Sequence, residues 1–359
     1  MSFITNIRSV AKYESKILVR SWFFRIFTLL AVVFLGFFNF AMMLMEDNFG
    51  LWFAKSVSSN IPYLNLLLLN TGQAVVAVFL SSEFLKRDKK LDTSEVFYVR
   101  PLSNAEYVVG KIWGNLRVFL FLNLLVLAIV LAFNFMASGV TVDLPAYLVY
   151  FFLISIPTLI FIIGLSIFLM LLLKNQALTF ILLLGYIGLT LFYIQDKFYY
   201  LFDYMVYNLP LFKSTIVGFS NLELILNHRA IYFFAGLGFI FFTIFLFKRL
   251  PNARRSHYPW LFLSFCMFLL MVTAGFRHVR SILWEGEMRA LYTSINNKYV
   301  YEPKMAIDYY DISVEQKSET IRSVVGMEGT ALAASEVFIF CLNPGLRVEE
   351  VKDGEKSLN

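Results

Sequence analysis

Seven apolar runs, at roughly 22–45, 61–84, 113–136, 146–173, 177–194, 230–247 and 259–276, set the terms on which this chain can fold. Each approaches the ~20 residues an α-helix needs to cross the hydrocarbon core of a bilayer. No single water-soluble core can hide them. Of the 359 residues 59% are hydrophobic and only 16% charged, so the expected class is an all-α polytopic membrane protein. The runs 146–173 and 177–194 are divided only by Lys174-Asn175-Gln176, and two spans there demand a very tight turn. The first run is too long for a signal-peptide core and is expected to stay attached.

The cations give the spans a direction. Arg8, Lys12, Lys16, Arg20 and Arg25 precede the first span; Lys86, Arg87, Lys89, Lys90, Arg100 and Lys111 lie between the second and third; Lys248, Arg249, Arg254 and Arg255 follow the sixth. Loops 46–60 and 137–145 hold one cation, Lys55. Clusters of Lys and Arg on short loops stay on the cytoplasmic side. The amino terminus is therefore expected inside and everything after about residue 277 outside, with Arg277, Arg280 and Arg289 mildly against the rule. The net charge of +6 sits beside spans, which points to anionic lipid headgroups and not to nucleic acid. Within residues 1–21, Phe3, Ile7, Val10, Tyr13 and Ile17 recur at helical spacing between Arg8, Lys12, Lys16 and Arg20, the pattern of an interfacial helix.

Cys266 and Cys341 fall in different phases, so no disulfide framework is implied. His228, His257 and His278 are scattered among loops and span ends without paired ligand spacing, and no metal site is expected.

The loop 86–112 is the most informative polar segment. Asp92 and Thr93 can cap a helix start, with Glu95 in its first turn, and Pro101 forces a stop. Between them Val96, Phe97 and Tyr98 are apolar groups on an otherwise charged loop. Ser103-Asn104-Ala105-Glu106 has the form of a capping box opening a helix that runs through Lys111 into the third span. Read from the residues alone, the segment is either a solvated basic loop whose aromatics tuck against the interface or a rigid docking element.

The order Glu83, Arg87, Asp92-Thr93-Ser94-Glu95, Arg100-Pro101-Leu102-Ser103, Glu106-Tyr107, Gly110-Lys111 resembles the loop between the second and third spans of type-2 ATP-binding-cassette (ABC) exporter permeases. The resemblance extends to the amphipathic amino-terminal helix, six spans over roughly residues 1–250, and an aromatic segment between the fifth and sixth. It implies that Glu95, Val96, Phe97 and Tyr98 form a coupling helix against an ABC ATPase subunit, with Arg100 a rim charge. It further implies a second permease half, identical or not. This chain carries no Gly-x-x-x-x-Gly-Lys-Ser/Thr loop, so ATP and Mg are expected on the partner, with no cofactor and no enzyme activity here.

Residues 195–229 are aromatic, sparsely charged and broken at Pro210, which fits two short helices dipping into the outer leaflet. The family resemblance makes this a re-entrant hairpin closing the outer end of a pathway; a brace for the fifth and sixth spans fits the residues equally. Asn70, Thr71 and Gln73 in the second span and Asn123 in the third are open to two uses, interhelical hydrogen bonding and pathway lining. The sequence suggests no ionisable residue at any span centre, which speaks against ion-driven transport and for a lipid-like cargo. Pro157 reads as a tolerated kink.

After a basic linker at 251–258 and a seventh span at 259–276, residues 290–359 read as a small extracytoplasmic β segment. Ala306–Val314 and Glu336–Cys341 alternate as strands do, and Gly326, Gly329 and Gly345 are expected in turns. The run Leu342–Val351 followed by Asp353-Gly354 resembles the first strands of a β domain preceding aminopeptidase-like domains fused to some bacterial permeases, which suggests a fragment whose returning strand is missing. The expectation is thus a permease domain over 22–250 in a bacterial inner membrane, working as the transmembrane subunit of an ABC exporter. The rival is a non-transporting anchor presenting the β module to an envelope partner. An embedded hydrolase is disfavoured because no nucleophile–base pair or ligand cluster lies in the spans.

Overall fold

The computed structural model describes residues 3–44, 58–82, 102–136, 142–209, 211, 213, 218–219, 221–247, 258–302, 305–317, 320–335, 337–340, 342–343, 345–354 and 356–358. Among these, seven helices are long and apolar enough to cross a membrane. The helices are α1 (Phe3–Arg20), α2 (Trp22–Leu44), α3 (Asn60–Ser82), α4 (Asn104–Met136), α5 (Leu144–Leu173), α6 (Gln176–Ile194), α7 (Leu222–Leu246) and α8 (Tyr258–Lys298). The chain divides into two units, Met1–Val279 and Arg280–Asn359.

Local chemistry sets the helix ends in the first unit. Ser103 and Glu106 form a reciprocal capping box: the Ser103 amide donates to Glu106 Oε2 at 2.6 Å and the Glu106 amide to Ser103 Oγ at 3.2 Å. Asp143 caps α5 by accepting from the Ala146 amide at 3.2 Å. The demanding turn after α5 is made by Lys174, left-handed at φ 53°, and Asn175, whose Oδ1 accepts from the Leu178 amide at 3.2 Å. Two residues thus separate α5 from α6, and the long apolar stretch is two helices. Inside α5 a π-turn occupies Phe151–Ser155 just ahead of Pro157.

Close backbone approach holds the core together. A Cβ on Gly164 of α5 would lie 2.6 Å from the Gly236 carbonyl oxygen of α7, and one on Gly236 would lie 2.7 Å from the Ile160 carbonyl. Small residues let helices meet at van der Waals range where lipid offers no hydrophobic drive to associate. Phe161 and Phe168 of α5 flank the crossing against Phe239 of α7 at 6.4 and 5.1 Å between ring centroids. Beside it α8 packs on α7, with the Ser264 hydroxyl donating to the Gly238 carbonyl at 2.9 Å. One face of α1 packs on α4: Gly110 and Gly114 receive Val10, Ala11 and Glu14, and a Cβ at either glycine would come within 2.7 Å of them.

Three boundaries differ from the sequence expectation. The sixth span begins at Leu222, eight residues before the apolar run, because Glu223, Asn227, His228 and Arg229 are polar but helical. The last long helix continues to Lys298, so residues 290–298 are helix, not strand. The 195–221 segment holds a single 3-10 turn, Phe198–Tyr200, in place of two short helices among its described residues.

The second unit carries a long antiparallel hairpin, β1 (Met305–Lys317) with β2 (Thr320–Ala331), in register from Met305↔Ala331 to Lys317↔Thr320 with a bulge between Ile307 and Tyr309. Gly326 and Gly329 lie within β2, not in turns; a Cβ on Gly329 would stand 2.5 Å from the Ala306 carbonyl. Val337–Phe340 forms no strand. The returning strand expected to be absent is present: β3 (Val351–Asp353) pairs with β4 (Lys356–Leu358).

The glycine crossing yields a contrast. Gly236→Ala forces two backbones apart and is expected to cost about 1–3 kcal/mol, whereas Gly185→Ala, with nothing within 4 Å, should be near neutral. Thermal unfolding of the purified chain in detergent measures both.

Candidate functional site

The residues proposed for coupling, Asp92, Thr93, Glu95, Val96, Phe97, Tyr98 and Arg100, lie outside the described residues. Immediately downstream, the start of α4 is anchored on two sides. Glu106, besides capping α4, accepts from Asn6 Nδ2 of α1 at 2.8 Å through its other oxygen. Lys111 and Glu14 form a buried ion pair at 3.6 Å, each side chain about 5% exposed or less. Arg117 Nε donates to Ser15 Oγ at 2.5 Å and its NH2 group to the Ala11 carbonyl at 2.8 Å, while Ser15 Oγ donates to the Gly114 carbonyl at 2.7 Å. At the same end, Asn104 Nδ2 reaches the Phe247 carbonyl at 2.6 Å and Tyr107 stacks on Phe247. These bonds fix α4 to α1 on one flank and to the end of α7 on the other.

The polar residues singled out in the spans come together. Gln73 donates to Asn70 Oδ1 at 2.6 Å, Asn70 to Asn123 Oδ1 at 3.2 Å, and Asn123 to Gln73 Oε1 at 2.9 Å, a closed ring of amides between α3 and α4. Ser155, at the end of the π-turn in α5, donates to Asn123 Oδ1 at 2.8 Å and joins the third helix. Asn70, Gln73, Asn123 and Ser155 are fully buried. Thr71 points elsewhere: its hydroxyl meets that of Tyr207 in the 195–221 segment. A second amide pair, Asn39 of α2 with Asn65 of α3, exchanges bonds at 2.7 and 3.1 Å. Neither residue was singled out from the sequence.

Residues 203–206 of the 195–221 segment are inserted into the bundle. Asp203, Tyr204, Met205 and Val206 are at most 2% exposed. Arg229, two turns into α7, meets them: NH1 donates to the Tyr204 carbonyl at 2.8 Å, Nε to Leu153 O at 2.6 Å, and NH2 to Ile154 O at 3.4 Å and Thr158 Oγ1 at 2.9 Å. Leu153 and Ile154 belong to the π-turn, and Pro157, four residues after Leu153, has no N–H to offer the Leu153 carbonyl. Arg229 is a buried cation inside the helix but outside the 230–247 run read as the sixth span, two turns from the helix start and not at its centre. The sequence did not place it in the helix because an apolar-run criterion starts the helix after Arg229.

Burial pushes the Asp203 carboxyl up from the ordinary carboxylate range, while the Asn208 and Tyr207 amides, the Arg229 charge and the Val206 amide pull it partly back. Raised in the folded state, this group favours folding most below the usual carboxylate range, and that contribution fades as pH rises through the raised value. Desolvation likewise raises the Tyr204 and Tyr207 hydroxyls.

The segment is also strained. Phe198, Tyr199 and Tyr200 are all left-handed, at φ 52°, 59° and 62°, which costs an L-residue about 1–2 kcal/mol each. Their carbonyls are held: His278 Nε2 of α8 lies 2.9 Å from Tyr199 O, His228 Nε2 of α7 lies 3.0 Å from Tyr200 O, and the Tyr232 hydroxyl donates to Leu201 O. The two imidazoles, read from sequence as scattered, are neighbours with centroids 5.1 Å apart. No third His, Cys, Asp or Glu joins them in a metal-binding group among the described residues. Farther along, Tyr150 donates to Leu211 O at 2.8 Å and Lys213 pairs with Asp143 at 2.6 Å.

No protein-family model matches the chain, and no curated protein matches it.

Arg229→Met removes the donors for four acceptors while keeping the aliphatic stem. The expected cost is about 1–3 kcal/mol for each buried acceptor left unsatisfied, with the loss read as a lower unfolding temperature and faster amide exchange over residues 200–209.

Proposed function

We propose that this multi-pass chain is the transmembrane subunit of an ABC exporter, coupling ATP hydrolysis in a separate subunit to movement of its helices. What supports the reading is the way α1 and the end of α7 grip the start of α4 through Glu106, Lys111, Arg117 and Asn104. Force arriving through the loop ahead of Ser103 enters α4 without a flexible joint, because Ser103 and Glu106 close the helix on itself. The partner supplies the phosphate loop, ATP and Mg; a second permease half completes the pathway; and the basic residues of α1 favour an anionic inner leaflet. The amino terminus lies in the cytoplasm of a bacterial cell, and Phe97 and Tyr98 are the contact. The inserted 203–206 segment closes the opposite end, and Asn70, Thr71, Gln73 and Asn123 lie along or beside the route it closes.

A second reading is favoured by the β1–β2 hairpin, where Ile312, Val314, Val324 and Val325 are all exposed. On this view the chain anchors a binding ribbon and transports nothing.

Co-purification with a candidate ATPase separates the two. Phe97→Asp with Tyr98→Asp should abolish the association while leaving the detergent-solubilised chain monodisperse. Recovery of the ATPase undiminished would exclude these residues as the contact, and absence of any ATPase with the unaltered chain would favour the anchor.

A further inference from the structure

The histidine pair beside the left-handed turn has a feature that hydrogen bonding to the turn does not use. Both rings are fully buried and each Nε2 is engaged with a turn carbonyl; the His228 Nδ1 is buried without a hydrogen-bond partner, while the Leu224 carbonyl lies beside His278. Donation from Nε2 to a carbonyl requires the proton on Nε2, so the His228 Nδ1 carries a bare lone pair. A fully buried polar atom without a partner is costly in a folded protein and calls for an explanation.

We propose that His228 and His278 form a proton-sensitive latch that holds the Phe198–Tyr200 turn between α7 and α8 at neutral pH and releases it on acidification. The turn stores backbone strain in three consecutive left-handed aromatic residues, so it needs an external hold, and the two imidazoles supply donors to two of its three carbonyls. Protons taken from bulk water at Nδ1 would create two cations with ring centroids 5.1 Å apart, beside the buried guanidinium of Arg229.

Among the described residues, no carboxylate on the packed elements pairs with either ring. On the turn side, Asp203 accepts from the Asn208 amide at 2.8 Å and Lys197 lies over the Tyr193 ring at 3.5 Å; Asp196, Tyr199, Tyr200, Tyr204 and Tyr207 are the other titratable groups there. On α7, Glu223 is bound to Arg277 of α8 at 2.9 Å, and Tyr232 donates its hydroxyl to Leu201. The Leu224 carbonyl beside His278 can accept from a protonated ring but carries no net charge to neutralise it. With the turn swung out, both rings reach water and accept protons freely, so falling pH favours the released state by mass action. The latch stands whether or not an ATPase binds this chain; only its use as a gate rests on the exporter reading.

Hydrogen–deuterium exchange of the full chain in detergent micelles decides the matter without an ATPase. Gln at each position keeps an amide donor near the place of Nε2 and cannot titrate. Taking the ratio of the unaltered chain to H228Q/H278Q at each pH cancels the chemical pH dependence of exchange. Over residues 196–209 this ratio should rise about tenfold or more between about pH 7.5 and about pH 5.5, with α4 amides unchanged. H228A/H278A should exchange rapidly at both. A flat ratio overturns the latch. So does a rise shared equally by α4, which is general acid unfolding. Should H228Q/H278Q fail to protect α4, exchange of the unaltered chain corrected for intrinsic rates still decides, a flat profile overturning the proposal.

Discussion

A guanidinium inside an apolar bundle must find its acceptors in the protein, because lipid offers none. Arg229 finds them in three places at once: the π-turn of α5, the Thr158 hydroxyl, and the Tyr204 carbonyl of the inserted segment. Pro157 and the π-turn ahead of it make this possible, since Pro157 has no N–H for the Leu153 carbonyl four residues before it. The same turn presents Ser155 to the amide ring of Asn70, Gln73 and Asn123. One irregularity of five residues therefore serves a buried cation on one flank and a polar junction on the other. The close crossing of α5 and α7 at Gly164 and Gly236 holds the two helices in the register both networks need.

The spans were legible because length and hydropathy are properties of single segments. The capping box at Ser103 and Glu106 was legible for the same reason, being a local pattern four residues long. The Lys174–Asn175 turn was recognisable as a question and became an answer only through the positive φ of Lys174. What could not be read was the partnership of distant residues. Asn70, Gln73 and Asn123 each stood out as polar in a span, but a ring of bonds between helices leaves no trace in spacing. In the sequence His228 and Arg229 read as part of the aromatic 195–229 segment because the apolar run begins after them; the structure puts them in α7, buried against α8 and α5. In the second unit, strand β1 was visible as alternation, whereas Gly326 and Gly329 look like turn residues and instead sit in β2, Gly329 beside a bulge that admits no side chain.

At the other end of the first unit the arrangement is ionic where the spans are amidic. Glu14 with Lys111, and Asn6 with Glu106, lie between α1 and α4 in a contact made tight by Gly110 and Gly114. The amphipathic pattern of α1 was correctly a sign of a two-faced helix, but the face that carries Ala11, Glu14, Ser15 and Leu18 is spoken for by protein. Arg8, Lys12 and Lys16 remain outward, where they can meet headgroups.

The ring of amides has a mechanical meaning. Because each of its three members both gives and receives, sliding α3 along α4 breaks more than one bond together, and Ser155 extends that penalty to α5. These three helices then behave as one rigid wedge. By contrast α2 and α6 hold most of their side chains toward the surroundings and can shift at little polar cost. Stiffness in this bundle is unevenly shared, and any change of shape must be borne by its periphery.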